Sequence, residues 1–293
     1  HIKQVDGFPD FIHKIEFTYL AHKTIATTTA EGVAHMTQQM LSTCTYSDPS
    51  TSDYDSSNPY IGVSSFTQSS NVQMGSSIEG STGDEFLGRG ASMSSDGNRI
   101  AVGAPKSDDN GSESGSVDMY EWSGSAWTQM GSSIVGSAAG DWFGEAVALD
   151  QDGDRVVIGA PNNDTQGSDA GEVKVYSWNG SAWVIQDNSN SDLIGGSSRD
   201  SYGWRVSFDS DGDRLAISGY GGSNSPGIVG MYEWDGSSWN IMGSTLTGST
   251  SQDFLGSGIS LDADGDQVAV GIRGEDGSAG NSSGAVSIYS WGG

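Results

Sequence analysis

The stretch FGEAVALDQDGDRVVIGAPNNDTQGSDAGEVKVYSW, Phe143–Trp178, decides the fold. Phe143 to Leu149 reads as a strand closed by Asp152-Gly153. An Asp-Gly pair is a strong hairpin signal, because glycine supplies the positive φ that the turn needs. Arg155 to Gly159 is the returning strand. Its run Val156-Val157-Ile158 is continuously apolar, as in a strand covered on both faces. After a polar loop comes Glu172 to Trp178, with Val173 and Val175 on one face and Tyr176 and Trp178 on the other. An Asn179-Gly180 turn leads to a short fourth strand through Trp183. This four-stranded unit is apolar on both faces, so it must be packed between neighbours.

The neighbours are copies of itself. Trp122, Trp178, Trp234 and Trp291 recur at spacings of 56, 56 and 57 residues. Before each lies an acid (Glu85, Asp141, Asp200, Asp253), then a Gly, a hairpin turn and an apolar run. A period of this length holding several short strands marks a ring or stack of sheets. The expected fold is all-β, a β-propeller of four-stranded blades over residues 59–293. Four repeats are clear, and Ile61 and Val63 read as the remnant of a degenerate fifth. The array is offset by one strand. Ile61 to Ser81 aligns without gaps to Val117 to Ser137, and the last repeat stops at Trp291-Gly292-Gly293 before its fourth strand. A ring closed by its N- and C-terminal strands would remove that open edge. A linear stack, or a ring completed by another chain, is the alternative.

Residues 1–58 form a non-repeat N-terminal extension and linker, with all four histidines and Cys44 but no tryptophan. Phe11 to Thr29 suits strands. Ala30 to Ser42, with Met36, Met40 and Leu41, suits a short helix. One cysteine permits no internal disulfide. The net charge of −26 argues against nucleic acid and anionic membrane surfaces as partners. No apolar run approaches the roughly 20 residues of a membrane helix. The opening residues do not read as a signal peptide, and His1 suits a processed or a trimmed chain.

Phe143-Gly144, Val147-Ala148-Leu149 and Ile158-Gly159-Ala160-Pro161 resemble the FG-GAP repeat, the blade unit of the integrin α-subunit propeller. The first repeat keeps Leu87-Gly88 and Gly103-Ala104-Pro105. The third has Tyr202-Gly203 and Ser218-Gly219-Tyr220, the fourth Leu255-Gly256 and Gly271-Ile272-Arg273. The Trp-rich form is similar to repeats of surface proteins in microalgae and marine bacteria. The resemblance implies a secreted or cell-surface propeller used in adhesion or assembly, and transfers no ligand. It also implies a calcium loop, for which the candidates are Asp150, Asp152, Asp154, Asp209, Asp211, Asp213, Asp262, Asp264 and Asp266. Alternate carboxylates can converge on Ca²⁺, but Ser94-Ser95-Asp96-Gly97-Asn98 keeps the turn and loses two of them. Turn chemistry is therefore the competing reading.

The repeats contain no histidine or cysteine, so the chain is expected not to be an enzyme. A hydrolase using two carboxylates is the least favoured reading. The recurring acids suit a structural role at blade corners, and the recurring tryptophans suit interblade packing. Trp142 and Trp204 do not recur and are candidates for a ligand platform. Four sequons, at Asn110, Asn163, Asn179 and Asn281, are candidate glycosylation sites. The expected function is extracellular adhesion, or a structural subunit of an oligomer, with protein or glycan as partner.

Overall fold

A computed structural model describes residues 73–186, 193–220, 225–276, 280 and 282–291, and within residues 1–72 the backbone of six strands. The chain divides into two compact units, His1–Met74 and Gly75–Gly293. Residues 59–74, which align with the repeats, belong to the first. Its strands are β1 (Ile2–Lys3), β2 (Lys14–Tyr19), β3 (His22–Thr28), β4 (Ala34–His35), β5 (Leu41–Cys44) and β6 (Phe66–Gln68). They pair antiparallel in chain order. Strands β4 and β5 fall where a helix was expected over Ala30 to Ser42. A helix that short is marginal unless one face packs, and here the segment pairs into the sheet. Ile61 and Val63 lie outside the described residues.

The second unit is built from the repeats. The first blade has β7 (Ala91–Met93), β8 (Arg99–Ala104), β9 (Ser116–Trp122) and β10 (Trp127–Gln129), with β11 (Ile134–Val135) also on β9. The second has β12 (Ala146–Leu149), β13 (Arg155–Ala160), β14 (Glu172–Trp178) and β15 (Trp183–Ile185). The third has β16 (Tyr202–Phe208), β17 (Arg214–Gly219), β18 (Ile228–Trp234) and β19 (Trp239–Ile241), with β20 (Leu246–Thr247) on β18. The fourth is β21 (Leu255–Leu261), β22 (Gln267–Ile272) and β23 (Ala285–Ser290). The named strands pair antiparallel throughout, and the described residues contain no helix.

Three of the four recurring tryptophans have a second one directly across the sheet: Trp122 opposite Trp127, Trp178 opposite Trp183, Trp234 opposite Trp239. Their rings lie 5.2, 5.3 and 5.5 Å apart, tilted. Such pairs add about 0.5–1.5 kcal/mol beyond area burial. The backbone N–H of Trp122, Trp178, Trp234 and Trp291 donates to a carbonyl of the preceding hairpin turn (Asn98, Asp154, Asp213, Asp266) at 2.7–2.8 Å. In blades 2 to 4 the tryptophan is thus tied to its own blade by the backbone and to the preceding one by its ring.

Three cores lie between successive blades. Val117 and Met119 of blade 1 pack with Val156, Ile158, Trp178 and Trp183 of blade 2. Val173 and Val175 of blade 2 pack with Leu215, Ile217, Trp234 and Trp239 of blade 3. Val229 and Met231 pack with Val268, Val270 and Trp291 of blade 4. The hairpin turns form a chain of backbone bonds from blade to blade: Ser95 N–H to Gln151 O, Gln151 N–H to Ser210 O, and Ser210 N–H to Ala263 O. These turns, with the ends of the first strands, line a cavity of ≈ 250 Å³ shared by all four blades.

The Phe-Gly and Gly-Ala-Pro signatures have one physical cause. Gly144 holds φ +93°, and Gly103 of the preceding blade lies so close that a Cβ there would stand 2.0 Å from the Gly144 carbonyl oxygen. Gly159 meets the Gly203 carbonyl oxygen in the same way, also at 2.0 Å. The motif is two backbones in contact, which only glycine allows.

Candidate functional site

The recurring acids are corner ties. Asp141 accepts from Ala138 N–H, Asp200 from Ser197 N–H and Asp253 from Thr250 N–H, at 2.9, 2.8 and 2.7 Å. Glu85 accepts from the Thr82 hydroxyl instead. All but Asp200 are buried.

The first carboxylate of each hairpin loop also serves its turn. Asp150 Oδ1 accepts from the backbone N–H of Asp154 and Arg155, Asp209 Oδ1 from Arg214, and Asp262 Oδ1 from Asp266 and Gln267. In blade 1 the Ser94 hydroxyl takes that place, accepting from Arg99 N–H. Asp152, Asp154, Asp211, Asp213 and Asp264 are exposed, and Asp266 is half-buried. Among the described residues no three His, Cys, Asp or Glu side chains are grouped as a metal set.

Burial raises Asp150 and Asp209 to about 6, helped by Asp154 and Asp213 beside them. Asp141 and Asp200 are raised by burial as well. The folded chain therefore holds protons between pH 4 and 6 that the unfolded chain, with an ordinary aspartate pKa of about 3.9, has released. Stability is expected to fall as pH rises through that window and to level off above it. A cation held by these loops would favour the ionised carboxylates and reverse the slope. Urea midpoints from pH 4 to 7, in Ca²⁺ and in chelator, separate the two: coincident falling curves assign the loops to the turn, and a Ca²⁺-dependent rise assigns them to the cation.

The sequons are not equivalent. Asn163 is 3% exposed, and its Nδ2 donates to Asp141 and Glu172, so a glycan there would break a buried network. Asn110 Nδ2 donates to the Gly136 and Ser137 carbonyls. Asn179 is exposed, its Oδ1 closing its turn while Nδ2 stays clear of that bond. Asn281 lies outside the described residues.

Antiparallel pairing sets the start of each first strand beside the end of the second, opposite the hairpin turns. This end of the blades carries an aromatic and cationic face. Phe86, Trp142, Ser201 and Phe254 occupy one equivalent position, all at positive φ near 50–56° (49° for Ser201). Bulky side chains rarely adopt this conformation. Phe86 is 56% exposed. Lys106 lies over both Phe86 and Trp142, and ion-pairs with Glu113 at 2.8 Å. The Trp142 Nε1–H donates to Glu113 at 2.9 Å. Lys106, then Trp142, holds the Glu113 carboxyl below its usual range.

Trp204 stacks on Tyr220 at 5.0 Å and 17°, and Tyr220 on Phe254 at 5.2 Å and 20°. Arg205 covers Trp204, and Arg273 covers Tyr220 and Phe254. Arg273 also bonds the Tyr220 hydroxyl. Beside this stack, Arg89 clamps the buried Glu145 with bonds of 2.7–3.0 Å, and Arg205 approaches it at 3.9 Å.

Both tryptophans singled out in the sequence are therefore on this face, each half-buried in its own cluster. Tyr220, Phe254, Arg273 and Lys106 were not singled out. Their signal was available: Tyr220 and Arg273 stand where the first two repeats have Pro105 and Pro161. The third and fourth repeats lose the motif where they gain this stack.

The FG-GAP repeat matches residues 77–120 and 135–176, so the chain carries at least two FG-GAP repeats within its antiparallel blades. No curated protein matches. Solved structures similar to the chain include TolB from Acinetobacter baumannii, at 13% identity and TM-score 0.41, over 95% of this chain and 49% of that one. Sqt1 from Chaetomium thermophilum is 14% identical with TM-score 0.44, over 71% and 44%. Hydrazine synthase from Kuenenia stuttgartiensis is 17% identical with TM-score 0.40, over 63% and 49%. The chain spans about half the length of each. No helix among the described residues is long and apolar enough to cross a membrane.

Proposed function

We propose that this chain is a secreted, non-enzymatic propeller subunit that works at the cell surface in adhesion or in building an extracellular assembly. The observation that carries this reading is the blade-to-blade interface, used three times and then left open. Val173 and Val175 are 0% and 1% exposed, whereas their counterparts Val286 and Ile288 in blade 4 are 70% and 71% exposed. A finished monomer rarely displays such side chains together.

Closure by the N- and C-terminal strands would remove the open edge that the repeat array leaves at its end. Support comes from Gly75 itself, which sits against Trp122 and Trp127 just as Gly131 sits against Trp178 and Trp183. A fourth strand ends at Gln129, two residues before Gly131, and the same Gln-Met pair precedes Gly75. Extracellular placement is supported by the FG-GAP repeats and by a charge of −26, which favours solubility in salt.

A second reading, a glycan-binding propeller, draws on the Trp204–Tyr220–Phe254 stack, whose flat faces suit sugar rings. Antibody labelling of intact, unpermeabilised cells tests the first reading. Surface signal is expected, and a signal seen only after permeabilisation would contradict it. A glycan array, read for loss of binding in Trp204→Ala, tests the second.

A further inference from the structure

We propose that Asn179 is a self-deamidating site, where the fold itself promotes conversion of asparagine to aspartate. The chain holds the text Asn-Gly-Ser twice, at Asn110-Gly111-Ser112 and at Asn179-Gly180-Ser181. The local sequence is the same, so a difference in reactivity between the two must come from the structure. The glycine nitrogen, giving its proton to water, attacks the asparagine Cγ. The new N–Cγ bond closes a succinimide ring, and the Cγ–Nδ2 bond breaks to release ammonia. Water then adds at Cγ, the N–Cγ bond breaks, and aspartate is left in an unchanged main chain. Water is the only co-reactant, and nothing is oxidised or reduced.

Three groups decide the rate: the attacking nitrogen, the oxygen that gains charge and the nitrogen that leaves. At Asn179 all three favour reaction. Among the described residues the Gly180 N–H has no acceptor, and a Cβ at Gly180 would meet nothing within 4 Å, so the approach is open. Asn179 Oδ1 accepts from the backbone N–H of Ser181 and Ala182 and from the Ser181 hydroxyl, at 2.9–3.0 Å. Donors fixed around an oxygen that becomes negative lower the barrier to its doing so. Nδ2 makes no bond among the described residues, and the side chain is exposed. At Asn110 all three oppose it. The Gly111 N–H donates to the Asp108 carbonyl at 3.2 Å. Nδ2 is held by the Gly136 and Ser137 carbonyls at 2.9 and 3.1 Å. No donor among the described residues reaches Asn110 Oδ1.

Blade 3 shows that the product fits. Asp235 stands where blade 2 has Asn179, and its Oδ1 accepts the same three bonds, from the Ser237 N–H and hydroxyl and the Ser238 N–H, at 2.8–2.9 Å. Those donors, Ser238 first, hold the Asp235 carboxyl below its usual range. The same turn thus stabilises a negative oxygen where Asn179 must develop one. Opening the ring at its other carbonyl would insert an extra atom into the main chain and break the turn, so the fold selects aspartate. A glycan on Nδ2 would block its departure. The sequon at Asn179 and this reaction therefore compete for one nitrogen.

Incubating the full chain in neutral buffer made with heavy-oxygen water, then reading its peptides by mass spectrometry, tests this. The label enters with the water that opens the succinimide. One oxyanion donor is worth about a hundredfold or more in an enzyme, and in this water-exposed turn Asn179 is expected to convert about tenfold faster than Asn110. In guanidinium, where only the shared Asn-Gly-Ser text remains, the two should convert at one rate. Ser181→Ala removes one of the three donors and keeps the backbone of the turn. It should slow Asn179 severalfold and leave Asn110 unmoved. A folded chain in which Asn179 lasts as long as Asn110 would overturn the proposal. So would a rate at Asn179 that Ser181→Ala leaves unchanged, since the donors would then play no part. A difference that persists in guanidinium would overturn it as well, because the fold would not be its cause.

Discussion

Gly159→Ala is expected to lower stability by about 3 kcal/mol, near the upper end of what overpacking a core costs. The position needs no special backbone, for its φ is not in the left-handed region, so alanine fits the strand itself. The cost comes from the neighbour. The new Cβ would stand 2.0 Å from the Gly203 carbonyl oxygen and 2.8 Å from its carbon. Those are backbone atoms of the next blade and cannot rotate away. Blades 2 and 3 must separate, and their shared core separates with them. Gly83 is the control: a Cβ there meets nothing within 4 Å, and Gly83→Ala should stay within about 0.5 kcal/mol. Gly271 is the sharper comparison. It is the equivalent glycine of blade 4, its nearest neighbour is the Ser257 hydroxyl at 3.1 Å, and Gly271→Ala should cost less than half as much. Urea midpoints of the three variants check the ordering. Equal effects at Gly159 and Gly271 would mean that glycine is kept for strand conformation, not for the approach of two blades.

Trp239→Ala should cost about 3–5 kcal/mol, the range for truncating a buried tryptophan. Trp239 is 1% exposed, 6.2 Å from Phe208 and 5.5 Å from Trp234, so its removal opens a cavity that rigid strands cannot fill. Trp291 is the counterpart of Trp234, not of Trp239, and is only half-buried, resting on Gly243. Trp291→Ala should cost about half as much, in proportion to the apolar area already covered. Thermal unfolding of both variants reads the difference. A ligand-stacking role for the recurring tryptophans would predict the reverse pattern, small losses of stability with lost binding.

Much of this was legible in the sequence, because each blade solves a local problem in the same way. The Asp-Gly turns gave the hairpins, the period-two pattern of Val173, Val175, Tyr176 and Trp178 gave a sheet apolar on both faces, and recurrence itself separated structural acids from other acids. The short strands β11 and β20 were missed, since two residues carry no period. The stack of Trp204, Tyr220 and Phe254 was missed in part, because its members come from three places in the chain. Least legible was the open flank. Val286 and Ile288 read like Val173 and Val175, and only the position of neighbouring blades makes one pair core and the other surface.

The most direct test of the account is electron microscopy of the full, untreated chain, with the sectors around the central axis counted. A closed ring of four or five sectors to each chain is predicted, with the open edge of blade 4 covered. A linear stack of sheets with two free ends would contradict it.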